Sequence, residues 1–367
     1  MSETIFNVMD FGAMANNETD DTSAIQKAID KAGTCGGVVM IPPGTYKIGM
    51  LKIPANISLI GYPSWSYRDD GGSILMFSDP TAKCCIDMRG GFGSTIKGLC
   101  INGQRLGEGI HGVSIDKEDY DEGGEDTPRI EDCKIGRFTG NGIHLNKIWC
   151  FSIRHNMVCH NKGHGLYIDG WDGFILDNWF SGNRGAGMCG DVTCASCTIT
   201  GNRVEWNSLA GFYLKNSNSL NITGNYFDRS GGPGIALISD EDGRVNNNIT
   251  IVGNVIYRSG KPRGTAFVSP YENSQIWMDY CVNVLCTSNT LLAGKDDGGK
   301  GEMSPDYGIV YGHMKNCIIK DNLMQNGSLK QSMLDLGGHK ANVCVENNLG
   351  EILKNPEKGQ WFRWDNI

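Results

Sequence analysis

The sequence has no cluster of basic residues: 33 lysines and arginines stand against 41 aspartates and glutamates, for a net charge of −8. A nucleic-acid backbone is held by Lys/Arg patches, so that class of partner is set aside. No apolar run approaches the roughly 20 residues of a membrane-spanning helix. Met1-Ser2-Glu3-Thr4 does not resemble a secretory leader. A cytoplasmic protein with no membrane partner is therefore expected. Metal-ligand spacing is also scarce. Cys194-Ala195-Ser196-Cys197 is the one C-x-x-C among 14 cysteines, too little for a structural zinc site. Cys133, Cys159, Cys189, Cys286 and Cys344 fall at strand or turn positions instead, and read as free packing thiols in a reducing compartment. Helical periodicity is nearly missing. The exception is residues 21–33, an amphipathic stretch with a capping residue in front and a glycine behind.

What the chain does have is a repeat. Asn156, Asn178, Asn202, Asn225 and Asn254 recur at intervals between 22 and 29 residues, each three after an isoleucine (Ile153, Ile175, Ile199, Ile222, Ile251). Nine residues after each of the first four comes a glycine, at Gly165, Gly187, Gly211 and Gly234, which opens a short run of strand-like alternation. A fixed period in this range is the mark of a solenoid, and 51 glycines supply the tight turns between its short strands. The register extends upstream to Cys133 and Gly112, and downstream to Asn289, Asn322 and Asn348. Stacked asparagines bond each other and nearby backbone, a structural role. One domain over 1–367 is expected: a strand and capping helix over 1–35, coils over 36–350 and a cap over 351–367. The helix covers the apolar end of the first coil.

The opening segment carries a family resemblance. Phe6-Asn7-Val8-Met9-Asp10-Phe11-Gly12-Ala13, then Asp20-Asp21-Thr22-Ser23-Ala24-Ile25-Gln26-Lys27-Ala28-Ile29, then Gly36-Gly37-Val38-Val39-Met40-Ile41-Pro42-Pro43-Gly44-Thr45-Tyr46 resemble the start of the pectate lyase and polygalacturonase superfamily. The resemblance implies an all-β, right-handed parallel β-helix with three strands per coil and substrate lying along the first. The superfamily spans glycosidases, lyases, epimerases and tailspikes, so it implies a fold more than a reaction. Gly163-His164-Gly165 matches a polygalacturonase triplet, but that family's other catalytic residues have no counterpart here.

In this register, alternation turns two rows outward. The first is Ser114, His144, Tyr167, Cys189, Tyr213 and Ala236. The second is Asp116, Asn146, Asp169, Asp191, Lys215 and Ile238, with Asp87 one coil earlier. Adjacent coils are about 4.8 Å apart. Asp169 and Asp191 are thus the expected catalytic pair, since two neighbouring carboxylates push one pKa up and make an acid beside an ionised partner. Lys215 would hold the second one charged. His144, Lys147, Trp149, His164, Tyr167, Trp171, Asp172, Arg184 and Tyr213 would join it in binding sugar, the indoles by stacking.

A glycoside hydrolase acting on an oligo- or polysaccharide is the leading expectation, a homotrimer its expected assembly. A polysaccharide lyase or uronate epimerase, and a non-catalytic glycan-binding tailspike-like module, stay open. No cofactor is required. The acidic stretch 117–126 offers oxygen ligands for calcium but lacks the spacing of a calcium loop, and reads as a solvated cleft wall, as does the insertion at 294–306. On the third strand Glu205 and Asp228 also stack, among Arg203, Trp206, Tyr226 and Arg229. They read as a salt-bridged surface, with a second cleft as the alternative.

Overall fold

The computed structural model describes residues 4–62, 65–120, 124–239, 244–261, 269–294 and 304–353. The expected cap beyond 353, residues 121–123 of the acidic stretch and residues 295–303 of the later insertion lie outside the described residues. Contacts gather the chain into two compact units, residues 1–185 with 195–198, and residues 186–194 with 199–367. Both are built from short parallel strands stacked coil on coil.

In the first unit one inward column runs Phe6, Val39, Leu59, Ile96, Ile130, Ile153 and Ile175, each the direct partner of the next. All are buried. A parallel strand buried on its inner side favours such branched aliphatics, which lose little side-chain freedom on a pleated surface. A second column, Ile86, Val113, Ile143 and Leu166, lines the strands His111–Asp116, Ile143–Arg154 and Leu166–Leu176. In the second unit the matching column is Met188, Phe212, Ile235, Ile276 and Ile309. The inward positions read from alternation are therefore the core.

The asparagine ladder forms as expected. Asn178 Oδ1 accepts from both the backbone and the side-chain N–H of Asn156 at 3.0 Å. In the second unit Asn202, Asn225, Asn254, Asn289, Asn322 and Asn348 repeat this bond from coil to coil. Five residues past Asn156 and Asn178 a second ladder step, from Asn161 to Asn183 at 2.9 Å, escaped the sequence reading.

Three details differ from expectation. The helix Thr22–Gly33 buries Ile25, Ala28, Ile29 and Ala32 as a cap should, but Asp21 does not cap it. Its carboxylate accepts instead from the backbone of Met14 and Ala15, at 2.7 and 3.1 Å, and ties down the preceding strap. In the middle coils the first and second strands run on as one element, Ile143–Arg154 and Leu166–Leu176. The corner is taken inside it by left-handed residues such as Lys147 (φ 56°) and Cys150 (φ 54°). Finally, Asp87 pairs with Ser114, not Asp116, so it stands in the first outward row.

Candidate active site

The first unit brings together most of the expected residues. Ser114, His144 and Tyr167 are successive partners across three strands, as are Asp116, Asn146 and Asp169. The His144 ring stacks on Tyr167 (centroids 4.9 Å apart) and on His111 (4.1 Å, nearly parallel). His164 lies tilted to Tyr167 at 6.4 Å.

Asn141 holds both imidazoles. Its Oδ1 accepts from the His164 backbone N–H at 2.8 Å, which turns its Nδ2 toward His144 Nδ1 at 3.0 Å. Its own backbone N–H donates to His111 Nδ1 at 2.9 Å. An amide nitrogen only donates, so both Nδ1 atoms accept and each neutral ring carries its proton on Nε2. Burial, then the neighbouring His144, pushes the His111 pKa down to about 4, against an opposing pull from Asp116. Burial likewise lowers His144, again opposed by Asp116. At neutral pH the face thus presents two uncharged N–H donors.

Asp169 is 4% exposed and accepts a 2.5 Å bond from the Tyr120 hydroxyl. Tyr120 stacks on Trp171 (4.3 Å), Trp171 meets Trp149 edge-on (6.3 Å), and Trp149 Nε1 donates to Asp172 at 2.8 Å. Lys147 Nζ bonds the carbonyl of Glu118. Among the described residues of the stretch 117–126, Glu118, Asp119 and Glu125 are exposed, but Lys117 and Asp126 are not. Lys117 and Asp126 form a buried ion pair at 2.8 Å, and Asp126 also accepts from the Trp149 backbone. Tyr120 on Trp171 and the buried Lys117–Asp126 pair hold the described ends of a stretch that the charge run suggested was solvated throughout.

Four further residues were expected at the site. Arg184 is an exposed turn residue of the same unit. Asp191, Tyr213 and Lys215 belong to the second unit. Asp191 is exposed, one residue past the paired stretch Met188–Gly190, while Tyr213 partners Cys189 and Ala236, and Lys215 partners Ile238. Ser114, Cys189 and Ala236 of the outward row are small and buried. His111, Tyr120 and Asn141 were missed. His111 and Asn141 each lie three residues before a row position, out of phase with the alternation, and Tyr120 lies in an insertion with no period.

On the third strands Glu205 partners Asp228, as the spacing implied, and the expected Arg203–Glu205 and Arg229–Asp228 salt bridges form, but Glu205, Asp228 and Arg229 are buried while Arg203 is exposed. Arg229 and Arg258 both reach Asp228, and Arg258 lies over Tyr257 at 3.7 Å. Burial outweighs both arginines and raises Asp228 to about 6.

A family profile described as a periplasmic copper-binding protein (NosD) matches residues 122–283. Mannuronan C5-epimerase AlgE3 of Azotobacter vinelandii is 25% identical over 231 residues, 57% of this chain and 12% of that protein. The probable rhamnogalacturonase A of Aspergillus oryzae is 28% identical over 277 residues, 67% of this chain and 58% of that one. Among solved structures, the mannuronan epimerase AlgE4 A-module of Azotobacter vinelandii superposes with a TM-score of 0.60 at 16% identity, over 95% of this chain and 99% of that one. The chain is a parallel β-helix. It spans only 12% to 21% of the length of the AlgE3 and AlgE6 epimerases that it matches. Among the described residues no group of three or more His, Cys, Asp or Glu is arranged to hold a metal ion.

Proposed function

We propose that this β-helix is a carbohydrate-active enzyme that abstracts the proton next to the carboxylate of a uronic-acid residue in a polysaccharide. The observation that carries the reading is the stacked pair His111–His144, fixed by Asn141 with Nε2–H on both rings. Breaking that C–H bond sends its electron pair into the carboxylate, and two uncharged donors in a half-buried site stabilise the enediolate that results. They bind the substrate carboxylate without needing a lysine or arginine.

In this reading Asp169, steadied by Tyr120, takes the proton, and Tyr167 delivers one. Delivery to the opposite face of the carbon inverts it; delivery to the departing glycosidic oxygen breaks the chain by elimination. Trp171 and Trp149 give the neighbouring sugar rings an apolar wall. The similarity to mannuronan epimerases supports this chemistry, and mannuronan is the first polymer to test.

Hydrolysis is the second reading, favoured by the similarity to a rhamnogalacturonase over 277 residues. It would use Asp169 as one carboxylate of an acid–base or acid–nucleophile pair. Incubation with uronate polymers in heavy water separates the two. Carbon-bound deuterium or an ultraviolet-absorbing unsaturated product supports proton abstraction; saturated fragments with new reducing ends and no carbon-bound deuterium support hydrolysis.

A further inference from the structure

Beyond the wall of tryptophans the first unit has a groove of about 490 Å³ that the catalytic reading leaves unused. Its origin is a backbone device repeated in four coils. Thr127, Cys150, Asp172 and Ser196 all sit in the left-handed region, with φ of 46°, 54°, 60° and 52°. Each turns the chain sharply, and two residues later the coil starts along the second face. The turned residues form one wall, and the floor is the row Arg129, Ser152 and Phe174, partners across adjacent coils. Gly173 leaves room for the buried Phe151 ring beneath: a Cβ there would stand 2.1 Å from it.

Phe174 is 55% exposed, a large ring with an open face. Arg129 is exposed two coils away, across Ser152, and Asp172 is exposed on the wall, so the groove pairs an apolar platform with polar groups of both signs. That mixture suits a sugar ring, whose C–H face stacks on an aromatic while its hydroxyls and carboxylate take hydrogen bonds. The groove runs along the stack of coils, in steps of about 4.8 Å, close to the advance of a pyranose chain. It also joins the catalytic face. Asp172 in the wall accepts from Trp149 Nε1, Trp149 meets Trp171, and Trp171 stacks on Tyr120, which bonds Asp169.

We infer that this groove is an accessory binding site for the same polysaccharide, with a sugar ring on Phe174 and a uronate carboxylate on Arg129. The inference rests on the polysaccharide reading of the neighbouring face. It gives the enzyme a hold on long chains that short ones cannot use.

The test compares wild type with Phe174→Ala and Arg129→Gln, using uronate di-, tetra- and octasaccharides and the polymer. Both side chains are exposed, and a thermal melt checks that each variant folds. Phe174→Ala is expected to weaken octasaccharide binding about tenfold, equivalent to ~1.4 kcal/mol, and to raise the ratio of polymer KM to tetrasaccharide KM by a similar factor. Arg129→Gln does the same for uronate chains and less for neutral ones. Turnover with a KM ratio unmoved in both variants overturns the groove while leaving the enzyme reading intact. Octasaccharide binding that depends on Phe174, with no turnover of any uronate polymer, keeps the groove and overturns the enzyme reading. No binding of any chain by the wild type overturns both.

Discussion

At the scale of single residues, the amide of Asn141 cannot be turned round without setting its nitrogen against the His164 backbone N–H, donor to donor. Its orientation therefore dictates where two histidine protons sit, and position 141 is open to a sharp substitution. Asn141→Asp keeps the acceptor for His164 but offers His144 Nδ1 a carboxylate. Nδ1 must then carry a proton, and the charge stabilises the imidazolium. The expected outcome is a kcat/KM for uronate polymers lowered about a hundredfold, in the range found for loss of one preorganised donor. The acid limb of its pH profile should move up, because His144 now titrates higher. An unchanged profile would mean that Asn141 merely packs. The identity of His144 and Tyr167 as face residues was legible in the sequence, since alternation alone sets it. The tautomer was not, because it depends on Asn141 reaching across two coils at once.

At the scale of elements, an interior ladder asparagine serves three coils. Asn254 Oδ1 accepts from Asn225 at 2.9 and 3.0 Å, while its Nδ2 donates to the Ile222 carbonyl and to Asn289 Oδ1, both at 3.0 Å. Truncation strands several buried polar groups together, at about 1–3 kcal/mol each. Asn254→Ala is expected to lower the unfolding free energy by at least ~3 kcal/mol, a sum of two or more such groups, read from the urea midpoint. Amide exchange should quicken in the coils that hold Asn225 and Asn289. The ladder itself could be read from the sequence because its period is regular. The insertion at 117–126 could not: charge suggested solvent, whereas Tyr120 and the buried Lys117–Asp126 pair fasten it to the site. The burial of Glu205 and Asp228 was hidden for the same reason, since a strand pattern tells which way a side chain points but not what lies over it.

At the scale of the whole molecule, a repeat with one inward column per face explains why fold class came through and chemistry only in part. The columns are local consequences of alternation, whereas a site is the meeting of residues that different coils and insertions supply. Stability has a pH signature that the same site imposes. His111 binds its proton at about 4 in the folded chain against 6.5 for the free side chain. Between those values the unfolded state holds more protons, so stability rises with pH across this window, is fully present above 6.5, and is lost as pH falls toward 4. Thermal melts from pH 7 to 4 should show this decline, and His111→Asn should make it shallower, since an asparagine can still accept the Asn141 N–H without titrating. An identical slope in the variant would place the acid sensitivity elsewhere.

The most direct measurement is the fate of the substrate's C–H bond. The protein is incubated with a mannuronate polymer in heavy water, and the products are read by mass spectrometry and ultraviolet absorbance. Proton abstraction by the His111–His144–Tyr167–Asp169 face predicts deuterium on the carbon next to the carboxylate, or an unsaturated uronate at a new chain end. Saturated fragments that have gained only water, with every carbon-bound hydrogen unexchanged, would contradict it.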